Sequence, residues 1–221
     1  MSVQLSESTE MYLKAMVELD QGDLVAVGRL AGRLGVSNVS ANEMVHRLTD
    51  QGLVSHQPYK GVELTETGQA AARSVLRRQR LWECFLYRHL KIEWAKLYEL
   101  ACSLEHATAP EVTDALAAFL GDPKFCPRGN PIPSADGSFT PLTGIPLREA
   151  QVGATVRVQA VNATETGVLQ YLQERGILPG SQLTIVEAAP LEGPLTVRVG
   201  GQDVALGLQL SEYVIVEIPA G

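Results

Sequence analysis

The sequence predicts a mainly α-helical chain with β structure in two places: a winged helix-turn-helix at the N-terminus, a longer helical segment, and a small β-barrel at the C-terminus. Three observations predict this. Apolar residues recur at helical spacing over most of residues 5–120. Two short β-like runs interrupt that pattern between 53 and 65. From Leu147 onward, β-branched runs separated by Gly, Pro and Asn replace it.

Residues 5–20 place Leu5, Met11, Tyr12, Ala15, Met16 and Leu19 on one helical face. Ser6, Ser8 or Thr9 offers an N-cap, with Glu7 and Glu10 near the positive end of the helix dipole. Residues 24–34 form a second helix stopped by Gly35. Ser37 then caps a third helix that runs to about Asp50 and ends at Gly52. Leu53–Gln57 and Val62–Thr65 flank Pro58–Gly61, the pattern of a β-hairpin. A long helix follows over 66–90, then shorter ones over 94–106 and 110–120, the last with Pro110 in its first turn. Residues 122–146 hold six of the twelve prolines and read as a partly extended linker. Four β-like runs after Leu147, with one helical patch around Val168–Gly176, complete the barrel. The expected segments are therefore 1–65, 66–140 and 141–221.

With 221 residues, 45 % of them hydrophobic, the chain has enough apolar surface for more than one core. The N-terminal residues lack the basic and apolar regions of a signal peptide, and no run approaches the roughly 18 apolar residues that span a bilayer. Cys84, Cys102 and Cys126 are few, odd in number and widely spaced, so a cytoplasmic protein without disulfides is expected. The net charge of −7 argues against indiscriminate nucleic-acid binding, but it is unevenly spread. Residues 1–80 carry nine basic and nine acidic side chains, and the whole excess of acid lies beyond them. A neutral N-terminal segment can meet DNA if its cations share one face, best with two copies acting together.

In the helix-turn-helix reading, the third helix enters the major groove. Its candidate DNA-contacting residues are Ser37, Asn38, Ser40, Asn42, Glu43 and Arg47, with His56, Tyr59 and Lys60 on the hairpin. Asn and Ser can bond base edges, Glu can accept from cytosine, and hydroxyls and cations can hold phosphates. A three-helix cap with a polar outer face would show the same pattern without binding anything.

Cys102-Ser-Leu-Glu105-His106 places a thiol, a carboxylate and an imidazole at i, i+3 and i+4, on one helical face. Such a mixed soft and hard set suits a first-row transition metal. It needs one or two further ligands, for which Met11 or a main-chain carbonyl is available. The competing reading is a core cysteine beside two solvated side chains. Catalysis by Cys102 and His106 lacks an oriented base and an anion-stabilising site. His46, His56 and His89 show no ligand spacing.

Several motifs resemble the iron/manganese-dependent, diphtheria-toxin-repressor-like family of transcriptional repressors: STEMYLKAMVEL at the start, VELTETGQAAA after the hairpin, ACSLEH over 101–106 and FCPRGNPIP over 125–133. The resemblance runs in register over residues 1–135, and the C-terminal barrel is similar to the SH3-like domain of the same family and of small iron-transport accessory proteins. It implies a homodimer, with the 94–120 helices carrying most of the interface and each subunit offering one winged helix to a double-stranded operator. It implies a primary Mn(II) or Fe(II) site from Met11, Cys102, Glu105 and His106, which sets the spacing of the two recognition helices. A second metal site in the family uses two histidines and a glutamate. Here the matching positions are Gln79, Glu83 and Tyr98, with Glu165 and Val168 on the barrel side. That site is then lost, weak or rebuilt around Glu83 and Glu165, with Glu99 nearby. Arg128 stands where the family linker normally has histidine.

Met11 with Cys102 matches the iron-sensing branch, whereas Asn42-Glu43-Met44 is closer to manganese-branch sequences, so the metal stays open between the two. Two other functions compete. One is a winged-helix regulator of a different ligand, which would not need the Met11, Cys102, Glu105 and His106 set. The other is a dimeric interaction module, whose barrel would bind a partner or the proline-rich linker around Pro131–Pro133. No phosphate loop, triad or paired-acid motif points to an enzyme.

Overall fold

The computed structural model describes residues 5–19, 23–138 and 140–218. The chain forms two compact units. The first comprises the residues up to Arg78 together with Pro133–Ser138, and the second comprises Gln79–Ile132 and the residues from 139 onward.

In the first unit, helices α1 (Glu7–Leu19), α2 (Val27–Leu34) and α3 (Asn38–Asp50) precede the strands β1 (Val54–Gln57) and β2 (Gly61–Leu64). Asp20, the expected last residue of the first helix, lies outside the described residues. Ser6 caps α1, its Oγ accepting from the Thr9 amide at 3.2 Å. Gly35, at φ 66°, closes α2 in a left-handed conformation that glycine adopts without steric cost. Ser37 then caps α3 by accepting from the Ser40 amide at 3.1 Å, so two adjacent signals fix the turn of the helix-turn-helix. The β1–β2 hairpin is antiparallel with Val54 opposite Leu64, and Val25 bridges to Val62 on its other edge. Leu13, Met16, Leu30, Val45, Leu48 and Val62 fill the core beneath it.

Helix α4 (Glu66–Arg88) begins at Thr65. The Thr65 Oγ1 accepts from the Gly68 amide at 3.1 Å and donates to the Gly52 carbonyl at 2.7 Å. Gly68 lies so close to the end of α3 that a Cβ there would stand 1.9 Å from the Leu53 carbonyl oxygen. This contact is the physical reason for a glycine in the TETG run.

The second unit holds the C-terminal half of α4, a 3-10 turn at Trp94–Lys96, α5 (Leu97–Glu105), α6 (Pro110–Phe119) and the barrel domain. The expected single helix over 94–106 is thus a 3-10 turn continued by α5. The barrel domain comprises β3 (Ile145–Pro146), β4 (Thr155–Val161), α7 (Thr166–Glu174), β5 (Gln182–Ala188), β6 (Leu195–Val199), β7 (Gln202–Leu206), α8 (Leu208–Glu212) and β8 (Val214–Glu217). Its strands pair in the order β3-β8-β4-β5-β6-β7, and the registered pairs are all antiparallel. Strand β4 alternates exposed and buried residues until a bulge between Val158 and Ala160.

The segments read from sequence as helical and as barrel share one core. Trp94, Leu97 and Ala101 belong to the same buried cluster as Leu147, Val158, Leu169, Leu172 and Val214. A smaller cluster joins Leu81, Cys84, Leu116, Leu120, Cys126 and Ile132. The linker that leaves α6 is therefore tied down rather than free. Among the described residues no helix is long and apolar enough to cross a membrane.

The Gly68 contact yields a prediction. Gly68→Ala forces the α4 N-terminus away from Leu53 and should lower the melting temperature by about 5 °C, as expected for overpacking a tight contact. Differential scanning calorimetry that finds an unchanged transition would contradict this account of the turn.

Candidate functional site

The α5 helix is anchored by Leu97 and Ala101, both fully buried in the shared core. One turn further on, the same helix presents Cys102 and Glu105, and His106 continues it as the C-cap with helical dihedrals. The Cys102 Sγ lies 3.8 Å from the Glu105 Oε1, and the His106 Nε2 lies 3.4 Å from the same oxygen. One ligand atom from each of the three residues falls within 4.8 Å of the others. Just beyond, the Thr108 hydroxyl donates to the Leu104 carbonyl at 2.7 Å and accepts from the Trp82 indole N–H at 2.7 Å, which holds the end of the helix against α4.

Glu105 is fully buried, while Cys102 and His106 are half-buried. A carboxylate in that position needs positive charge or strong donors around it. Thiolate, carboxylate and imidazole separated by these distances match the ligand types and coordination-sphere size of a first-row transition ion. The three residues therefore fit a metal. Among the described residues this is the group of three His, Cys, Asp or Glu side chains close enough to share an ion. Met11 is half-buried on α1, in the other unit.

The second-site residues behave differently. Glu83 is fully buried and its carboxylate faces the Arg128 guanidinium at 2.8 Å. Glu165 is exposed at the start of α7. Glu99 accepts from the Thr166 hydroxyl at 3.0 Å. Tyr98 carries Arg128 over its ring, 4.8 Å from the centroid. The cation beside Glu83 is thus part of the chain. Sequence reasoning placed Arg128 in the linker but gave it no partner, because its contacts are 30 to 45 residues away in sequence.

On the winged unit, Ser37, Asn38, Ser40, Asn42, Glu43 and Arg47 are all exposed, as are Tyr59 and Lys60 at the tip of the hairpin. His56 is half-buried and meets His46 of α3 edge-on at 5.6 Å. Val39 was not singled out from the sequence. It is 69 % exposed on the outer face of α3, where an apolar side chain can meet a thymine methyl. An exposed apolar residue in a helix with a polar outer face was the available signal.

Three family models cover the chain. The N-terminal DNA-binding domain of iron-dependent repressors matches residues 4–62, and their metal-binding and dimerisation domain matches residues 65–134. The FeoA domain matches residues 145–218. The iron-dependent repressor IdeR of Mycobacterium tuberculosis is 30 % identical over 227 residues, covering 97 % of this chain and 98 % of that protein. The chain belongs to the iron-dependent repressor family. The diphtheria toxin repressor of Corynebacterium efficiens is 32 % identical, with 96 % of each protein covered. A solved manganese-dependent transcriptional repressor in complex with manganese is 32 % identical with a TM-score of 0.86, over 94 % of this chain and 98 % of that one. This chain is accordingly a metal-dependent transcriptional repressor with a DNA-binding domain, a metal-binding and dimerisation domain and an SH3-like FeoA domain, and not an enzyme.

The three cysteines of the repressor differ chemically. Burial pushes the Cys84 thiol up to about 12. Burial and the neighbouring Glu83 carboxylate push Cys126 up as well. Both stay protonated and inert at neutral pH, whereas Cys102 is half-buried. A thiol reagent added to chelated native protein should modify Cys102, as judged by peptide mass mapping, and Mn(II) should slow that reaction. Labelling of Cys84 or Cys126 ahead of Cys102 would show that this surface is assigned wrongly.

Proposed function

We propose that this repressor is activated by Mn(II) or Fe(II) held by Cys102, Glu105 and His106, with Met11 as the further ligand, and that the loaded protein binds a double-stranded operator as a homodimer. The observation that carries the proposal is the convergence of a thiol, a buried carboxylate and an imidazole within one coordination sphere at the end of α5. Met11 enters on the resemblance of the STEMYLKAMVEL segment to the family. When bound, the ion supplies positive charge that lets these groups approach as anions and a neutral base.

The protein's own residues do the rest. Ser37 and Ser40 stand at the N-terminus of α3, where main-chain amides and hydroxyls suit phosphate. Asn38, Asn42 and Glu43 would read base edges and Val39 would touch a methyl group, a reading their exposure on α3 supports. Arg47, Tyr59 and Lys60 would hold the backbone on either side. With no excess positive charge in residues 1–80, one such face binds weakly, and two faces at fixed spacing are needed for a tight complex. Exposed apolar residues on the helical domain, among them Leu90, Leu100, Val112 and Phe119, favour a second copy as the partner. The names of the relatives, iron-dependent in one group and manganese-dependent in another, support metal-uptake and homeostasis genes as the targets. A cytoplasmic setting accords with three thiols and no disulfide.

His106→Ala removes one ligand from a half-buried position and should leave the fold intact. In fluorescence anisotropy with upstream DNA at fixed salt, the wild-type protein should bind about tenfold or more tightly with Mn(II) or anaerobic Fe(II) than with chelator. The variant should lose that gain while its melting curve in chelator matches wild type. A variant that still responds to metal as wild type does would remove His106 from the site.

A further inference from the structure

The linker segment after α6 forms a seam between the helices and the barrel domain within the second unit. Its Cys126 amide donates to the Asn130 carbonyl at 2.9 Å, making a tight loop around Arg128 and Gly129. The Trp94 indole donates to the Pro127 carbonyl at 2.9 Å from the helical side. From the barrel side, the Val161 amide donates to the Arg128 carbonyl at 2.8 Å, and the Val161 carbonyl accepts from the Asn130 amide group at 3.1 Å. A Cβ at Gly129 would stand 2.0 Å from the Gln159 carbonyl oxygen, so the two backbones touch at the β4 bulge.

Arg128 lies at the centre of this seam with 3 % of its side chain exposed, and Glu83 has none. The guanidinium Nη2 donates to the Glu83 Oε1 at 2.8 Å, and Nε approaches both carboxylate oxygens at 3.3 Å. Its Nη1 donates to the Ala163 carbonyl at 3.0 Å and to the Val161 carbonyl at 3.3 Å. The Tyr98 ring lies beneath, 4.8 Å away. One helix turn before Glu83 on the same face, Gln79 is fully buried, and neither atom of its amide has a hydrogen-bond partner. The surroundings of Arg128 thus include a buried carboxylate, two main-chain carbonyls converging from the barrel and an aromatic face. Every one of these favours a cation.

We propose that Glu83, the carbonyls of Val161 and Ala163 and the face of Tyr98 form a cation cradle that the chain fills permanently with its own Arg128 guanidinium, so that the barrel is clasped to the metal-binding helices whether or not metal is present. The clasp is a positioning device. It commits the Glu83 carboxylate to an internal cation and leaves the response to metal to the Cys102–His106 end of α5. An arginine suits this task because its planar fork reaches a carboxylate and carbonyls at once and stays charged at any physiological pH. The proposal goes beyond the metal reading and does not depend on it.

Chemical rescue tests the cradle directly. Arg128→Ala leaves a guanidinium-shaped vacancy beside a buried carboxylate and should lower the melting temperature by about 10 °C. Guanidinium chloride at low millimolar concentration, far below its denaturing range and matched against sodium chloride, should restore about 4 °C or more of that loss. It should do nothing for wild type or for the neutral double variant Glu83→Gln/Arg128→Met. If Arg128→Ala is unfolded in plain buffer, recovery of its near-ultraviolet circular dichroism on adding guanidinium supports the cradle, and persistent unfolding overturns it. Equal responses in Arg128→Ala and the double variant overturn it also. Hydrogen exchange of the Val161 amide in the wild-type protein checks the permanence of the clasp: equal protection with Mn(II) and with chelator is expected, and loss of protection in chelator contradicts it.

Discussion

A carboxylate without exposed surface must find positive charge or strong donors inside the protein, and among the described residues two are buried, Glu83 on α4 and Glu105 on α5. The two are satisfied in different ways. Glu83 on α4 meets an arginine brought in by the linker. Glu105 on α5 sits between a thiol and an imidazole, the set proposed to hold a divalent ion. On the proposed assignment one cation is permanent, and the other is the metal to which the repressor responds. A conditional cation shifts a conformational equilibrium only through its preference for one state, so the rest of the unit has to hold the ligands in place while they wait.

The shared core performs that holding. Leu97 and Ala101, on the same helix as Cys102 and Glu105, are buried with residues of β4, α7 and β8. The barrel domain thereby becomes part of the scaffold of α5 rather than an appendage on a flexible tether. The Trp82–Thr108 hydrogen bond and the Arg128–Glu83 clasp start from adjacent residues of α4, one reaching the end of α5 and the other the linker. The winged unit relies on simpler means, with local caps at Ser6, Ser37 and Thr65 and a glycine at each tight approach.

Much of this was legible in the sequence because it is local. The Gly35–Ser37 turn, the hairpin around Pro58–Gly61 and the i, i+3, i+4 spacing of Cys102, Glu105 and His106 each depend on residues within a few positions of one another, and each appears where the pattern placed it. The exposed polar face of α3 follows from the same periodicity. What was not legible is long-range. No periodicity tells that Leu97 and Val214 share a core, or that Arg128 in a proline-rich stretch reaches back to Glu83 and forward to Ala163. Glu83 was read through its match to the family's second metal site, and its buried Arg128 partner was not visible in the sequence. Trp94–Lys96 formed a 3-10 turn inside an expected helix, a boundary shift of the kind tertiary packing imposes.

The assignment of the conditional cation to Cys102, Glu105 and His106 is tested most directly by cobalt(II) substitution. Cobalt(II) bound through the Cys102 thiolate gives an intense sulfur-to-metal charge-transfer absorption in the near ultraviolet. The wild-type protein is expected to show this band on titration with cobalt(II), and folded Cys102→Ser is expected to lack it. A band of equal intensity in Cys102→Ser, or none in the wild type under reducing conditions, would contradict the assignment.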